Sequence, residues 1–400
     1  MAFLSGSVSF SRFRIAGGGP KRLDENLLEK FRQHRIGADR VAHADHVEVG
    51  WIGGRHLLDL DFEIEKNVLL DCLHLGMRID SARIPPDLMR AYMQQEFEAL
   101  LREGGGGGRN QGRLKRQAKD SAAKRAEQEI KQGRYRSFRQ FPVLIDSRHD
   151  VIYFGATSPA VHERLHQLFR DTFSKRLDAM TAGQRAMDWA EEKGVSRKLE
   201  NLSPTLFVDP TDGGQAEVYW TAHDPHSCDF LGNEFMLWLW FQTAERGDTM
   251  KLEDGSEAAL IFVKQLALEC PRAETGKEVI TCDGPTTLPE ARRAIQAGKL
   301  PRKAGLTVNR QGEQYTFVLQ AETFGVSGAV LPKVEDRLGN DDAESGKSVG
   351  GGQLRAEERV EQVRHLSATI DAIYAQFLKV RFGSDWRNET EAIRAWLRKK

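Results

Sequence analysis

Residues 133–169, GRYRSFRQFPVLIDSRHDVIYFGATSPAVHERLHQLF, decide the fold class. FPVLID and VIYFG are short apolar runs rich in β-branched and aromatic residues, and the polar tetrapeptide Ser147-Arg148-His149-Asp150 between them makes a hairpin turn. A helix is predicted to follow from Ser158 and Pro159, because proline suits the first helical turn. Val161, Leu165, Leu168, Phe169 and Phe173 then recur at three- and four-residue spacing, as on one helical face. Two antiparallel strands followed by a helix are a unit of an α+β protein.

A strand and then a helix are predicted upstream, where Val8, Phe10, Phe13 and Ile15 nearly alternate and residues 23–36 carry Leu27, Leu28 and Phe31 at helical spacing. HLLDLDFEIEK, residues 56–66, alternates strictly. It predicts a half-buried strand with Leu58, Leu60, Phe62 and Ile64 on one face and Asp59, Asp61, Glu63 and Glu65 on the other. Residues 67–79 predict one more strand. Pro85 and Pro86 open a helix with an apolar stripe of Leu88, Tyr92, Met93, Phe97 and Leu100, which the five glycines at 104–108 must end. Residues 109–132 resume as a very polar helical arm.

Downstream, FLGNEFMLWLWFQTAE is too apolar and too aromatic for any side to face water, and it predicts a core helix. A turn at Glu253-Asp254-Gly255 leads into the strand EAALIFVKQLALE, then a helix from Pro289 to Ala297, then a hairpin turning at Arg310 to Gly312. Residues 334–355 are rich in Asp, Glu, Gly and Ser, and are expected to be a disordered linker. Val363, Leu366, Ile370, Ile373 and Phe377 mark a long helix that packs on the body or on a partner, and Trp386 to Leu397 forms a last short one.

The expected architecture is α+β, with mainly antiparallel sheets, packed helices and several subdomains. These are an N-terminal α+β part (1–85), a proline-led helix and basic arm forming a tip (86–140), a central α+β part (141–333), the linker (334–355) and C-terminal helices (356–400).

The chain has 400 residues with 58 basic and 58 acidic side chains, so any polyanion-binding surface must come from local segregation of charge. Cys72, Cys228, Cys270 and Cys282 form no CxxC pair and suggest neither a zinc ribbon nor a disulfide framework, which fits a reducing cytoplasm. The opening MAFLSGSVSFSRFRI alternates, so neither an export signal nor a membrane anchor is expected.

Segregation of charge is strongest at residues 109–139. Arg109, Arg113, Lys115, Arg116, Lys119, Lys124, Arg125, Lys131, Arg134, Arg136 and Arg139 face only Asp120, Glu127 and Glu129, a local net charge of +8. Such density attracts DNA and releases its condensed counterions, although a solvated helix that binds nothing has the same composition. At the end of the arm, arginines interleave with Tyr135, Phe138 and Phe141. Phe138 and Phe141 are expected to begin the core of the hairpin, leaving Tyr135 as the exposed ring.

Other motifs are weaker. ESGKS at 344–348 lacks the spacing of a phosphate loop, because the preceding glycine is Gly339. Asp59, Asp61 and Glu63 on one strand face could hold magnesium for nuclease chemistry, but the wet face of an amphipathic strand looks the same. His43 and His46 read as a polar loop rather than a zinc site. No catalytic serine, cysteine or dinucleotide motif is present, so no catalytic residue, metal or cofactor is expected.

Taken in order, Gly50-Trp51-Ile52, RIDSARIPPDLMRAYMQQEFEAL (78–100), the basic arm, residues 133–169 and LPEARRAIQAGKLPRKAGLTV (288–308) resemble the RdgC family of recombination-associated proteins. The likeness spans most of residues 1–330 and rests on colinearity. It implies a ring-shaped homodimer, head to head and tail to tail, that holds double-stranded DNA in a basic hole without reading sequence. It further implies a cytoplasmic, nucleoid-associated protein that restrains the strand-exchange recombinase and has no established enzymatic activity, with single-stranded DNA left open as a ligand. The family's tip aromatic falls on Tyr135, between Arg134 and Arg136, as a contact between protomers or with DNA. Its basic gate falls near Asp283 and Gly284, where no lysine stands. A metal-dependent exonuclease using Asp59 and Asp61, and a protein-protein adaptor working through the long C-terminal helix, are the alternatives.

Overall fold

A computed structural model describes residues 3–38, 47–103, 111–200, 202–208, 218–222, 224–333 and 349–399, the last without the side chains of residues 349–351. In chain order the elements begin with β1 (Val8–Ile15), α1 (Glu25–Gln33), β2 (Val47–Ile52), α2 (Ile64–Asn67), β3 (Val68–Leu69) and β4 (Cys72–Ala82). There follow α3 (Pro86–Glu103), α4 (Gln111–Lys131), β5 (Arg136–Asp146), β6 (Val151–Phe154), α5 (Pro159–Phe173), β7 (Leu177–Ala179) and α6 (Ala182–Glu192). The remainder are α7 (Phe230–Glu245), β8 (Thr249–Lys251), β9 (Glu257–Glu269), β10 (Glu278–Thr281), α8 (Pro289–Gln296), β11 (Leu300–Arg310), β12 (Glu313–Gln320), β13 (Val326–Val330), α9 (Val349–Arg381) and α10 (Trp386–Arg398).

The protein is α+β, built on a 13-stranded sheet in the order β10-β9-β11-β12-β13-β1-β6-β5-β4-β2, with β3, β7 and β8 pairing off this path on β4, β1 and β9. Its paired strands are antiparallel. β1 belongs to both halves. Its Val8 and Phe10 pair with β13, while Ser11 to Arg14 pair with β6. One strand therefore ties the N-terminal half to the C-terminal half.

Helices cover both faces of the sheet near this seam. Leu144, Val151 and Tyr153 join the core that contains α7 and α9, whereas Val143, Ile145, Ile152 and Phe154 join the core of α1 and α5. A strand buried on both faces reads as a continuous apolar run, which is why FPVLID and VIYF hardly alternate. Helix α7 is buried all round from Phe230 to Phe241, as its composition requires. A Cβ on its Gly232 would lie 1.9 Å from the Ala321 carbonyl oxygen, so only glycine lets α7 approach the end of β12 so closely.

The predicted strand at 56–66 does not form. Leu58 is exposed, Phe62 is buried, and Asp59 turns inward where Arg55 and Asp61 donate backbone N–H groups to it. Lys66 donates to the same carboxylate at 2.9 Å, with both side chains under a tenth exposed. Capping of a loop by Asp59 thus overrides the period-two pattern. The expected linker is also too long, because α9 already begins at Val349; residues 334–348, with the ESGKS motif, lie outside the described residues.

The long C-terminal helix packs on this chain's own body. Val360, Val363, Leu366, Ile370, Ile373, Tyr374 and Phe377 are buried in the main core. Arg12 of β1 makes a two-pronged bond to Asp371 of α9, both prongs 2.8 Å. Arg364 reaches Asp146 at 2.8 and 2.9 Å, Cys72 Sγ at 3.1 Å, and Asp71. α9 is clamped across the strands on which the two halves meet. All four cysteines are free, and three are buried. No described helix is long and apolar enough to cross a membrane.

Candidate nucleic-acid interface

Helices α3 and α4 pack chiefly on each other as a hairpin rooted in β4 and β5. In α4 the buried apolar positions are Leu114, Ala118, Ala122 and Ala126, a four-residue repeat, and Ala122 and Ala126 meet Ile84 and Tyr92. Alanine at the seam brings the two helices close. Arg113, Lys115, Arg116, Lys119, Lys124 and Arg125 are all exposed on the rest of the helix surface. From Arg113 to Arg125 the helix rises about 18 Å, the length of about five base pairs. The predicted basic arm is a helix with its cations in water. Arg109 and the glycine run at 104–108 lie outside the described residues, as do His43 and His46.

At the root of the hairpin, Glu129 is buried and accepts hydrogen bonds from Tyr92 Oη at 2.9 Å and Tyr135 Oη at 2.6 Å. The Tyr135 bond, helped by that of Tyr92 and by Arg134 and Arg125, holds the Glu129 carboxyl below its usual range against the opposing effect of burial. Arg125 lies 3.8 Å from the centre of the Tyr92 ring and 3.6 Å from Glu129, so it also braces the hairpin. Lys131 pairs with Glu127 at 2.7 Å. Arg134, Arg136 and Arg139 are exposed, Arg139 with its guanidinium 5.0 Å from the Phe141 ring centre.

The expectation for the rings is reversed. Tyr135, at the tight turn into β5 with φ of 61°, is half-buried with its hydroxyl bonded inward, whereas Phe138 is 42% exposed. Phe141 is core, as expected. Residues 138 and 141 are an odd number apart on one strand, so they must point to opposite faces, and the sequence held that signal. Tyr135→Phe should keep the ring and lose the bond to Glu129. Amide hydrogen exchange should then quicken at the base of α3 and α4, and unchanged exchange there would show that the bond does not brace the hairpin.

Two other clusters have some of the features of a site. Asp71, Cys72 and Asp146 stand close enough to hold a metal, but the Arg364 guanidinium lies among all three. Burial pushes the Cys72 thiol pKa up, opposing a metal-binding thiolate. A cleft of about 510 Å³ between β1, β6 and α9 is lined by Arg12, Arg14, Arg148, Arg185 and Arg364. Arg12 and Arg185 pair with Asp371, Arg14 with Asp188 and Arg364 with Asp146. An anion would therefore compete with carboxylates already in place. Asp59, Asp61 and Glu63 do not form the shared strand face that the alternative two-metal centre would use, and burial of Asp59 is outweighed by donors that hold its pKa low.

No protein-family model matches this chain, and no curated protein matches it.

Proposed function

We propose that this protein binds double-stranded DNA without reading its sequence, acts as a homodimer, and modulates homologous recombination by restraining recombinase access to DNA, as the RdgC resemblance implies. The observation that carries the reading is the exposed cationic surface of α4 on a two-helix hairpin. Lysines and arginines spread along an exposed helix neutralise phosphates and release counterions, a source of affinity indifferent to base identity. The resemblance places a protomer or DNA contact at Tyr135. With its hydroxyl committed to Glu129, that residue would offer a partner its ring.

The competing readings lose support. The adaptor reading needs a free face on α9, whose apolar stripe is used within this chain. The nuclease reading rests on carboxylates of which Asp59 is buried and paired to Lys66 while Asp61 is exposed. Labelled duplex incubated with the protein should shift without shortening in magnesium and in chelator alike. Unrelated duplexes of equal length should agree in affinity within about tenfold, since each specific base contact is worth roughly 1–3 kcal/mol. Shortening in magnesium alone would establish a nuclease, and no shift in either condition would reject DNA binding.

A further inference from the structure

Phe138 stands in the ribbon formed where β4 and β5 run out from the core toward the helical hairpin, paired opposite Asp80. Its ring is backed rather than buried. The Arg78 guanidinium lies 4.6 Å from the ring centre, and Arg78 is itself clamped by Asp80 through two hydrogen bonds of 2.6 Å. One side of the ring thus rests on a fixed cation, which also neutralises the nearest carboxylate, and the side chain keeps 42% of its surface in water. Arg136 shares this face of β5 and the exposed Arg134 lies just before the strand, whereas Arg139 points to the opposite face with Phe141. A large exposed ring costs solvation energy, and scattered apolar residues need no explanation, but a ring fixed by a guanidinium behind it, with Arg136 beside it on the same face, has the make-up of a base-stacking platform.

We infer that Phe138 stacks on an unpaired nucleobase while Arg136, on the same face, holds an adjoining phosphate. This rests on the reading of the arm as a DNA-binding element and assigns a residue-level site to the unpaired strands that the resemblance left open. Bases within a duplex are already stacked on their neighbours, so the ring can serve single strands, gaps and frayed ends but not intact duplex. α4 and Phe138 would then divide the work, with phosphate attraction on the helix and a grip on exposed bases at its root. Charge favours this occupant over a protein surface: residues 111–139 carry ten cations against three carboxylates.

Phe138→Leu keeps an apolar side chain at an exposed strand position and removes the π face. Its affinity for a thymidine oligonucleotide should fall about tenfold while duplex affinity stays within about twofold, given that a base-aromatic stack is worth roughly 1–3 kcal/mol. Irradiating the wild-type complex with an oligonucleotide carrying 5-iododeoxyuridine should cross-link the peptide containing Phe138. Unchanged single-strand affinity, an equal fall for single strand and duplex, or a cross-link confined to other peptides would each overturn the inference. Altered sedimentation with unchanged single-strand affinity would overturn it too, by assigning the ring to a protein contact. If wild-type protein binds duplex but no single strand, this inference fails and the duplex reading stands; if it binds neither, both fail.

Discussion

Replacing Arg113, Lys115, Arg116, Lys119 and Lys124 together by alanine should weaken duplex binding at least about a hundredfold near 0.1 M salt, and flatten the dependence of log affinity on log salt by up to about 4 to 5. Each phosphate contact contributes about 0.9 to that slope, so the change in slope counts how many of the five cations touch the backbone. Arg125 is left in place because it braces Tyr92 and Glu129. The five side chains are exposed and the helix buries its other face, so removing them should leave thermal unfolding nearly unaltered. Binding isotherms at several salt concentrations, beside a melting curve, read both effects. Wild-type affinity in a folded variant would remove α4 as the DNA contact.

Replacing Arg364 by methionine should destabilise the protein by about 3–5 kcal/mol, the usual cost of leaving a buried partner charge alone. Arg364 is 8% exposed and the Asp146 it serves is fully buried, with Cys72 at its side. Burial pushes the Asp146 pKa up, but Arg364, helped by His149, more than offsets it and holds the carboxyl below its usual range. A carboxyl depressed in the folded state stabilises above its unfolded pKa of about 3.9, and that contribution is lost as pH falls through the lower folded value. The stability gap between wild type and Arg364→Met should therefore narrow on acidification below about pH 4. Adding Asp146→Asn to the variant should recover part of the loss at neutral pH, because no buried charge is then left unpaired. Urea unfolding at pH 7 and pH 3.5 measures both, and a gap under about 1 kcal/mol at pH 7 would show that α9 is not held by this clamp.

Local physics made much of this fold legible. α7 had to be buried because no side of it is polar, and the hairpin at residues 141–154 followed from two apolar runs around a polar turn. α4 was readable as a helix from its composition, down to the exposure of its cations. What stayed hidden depends on distant partners. The pairing of Arg12 with Asp371 joins residues 359 apart, and nothing in the local sequence near either one announces it. Residues 56–66 misled because their alternation of letters is genuine, whereas the choice between strand and loop fell to Asp59 and Lys66 seven residues away. The rings differ for another reason: the strand period separates Phe138 from Phe141, and Tyr135 faces inward to donate to Glu129, which also accepts from Tyr92 of the other helix.

If DNA lies along α4, lysine footprinting reports the place as well as the fact of binding. Acetylation of the protein alone and with saturating duplex, followed by peptide mass mapping, should show Lys115, Lys119 and Lys124 protected by DNA. Lys21 and Lys379, exposed but paired with Asp150 and Glu253 elsewhere on the fold, should label equally in both. Protection of Lys21 or Lys379 with α4 labelled as in the free protein would place DNA elsewhere on the fold and exclude α4 as its contact.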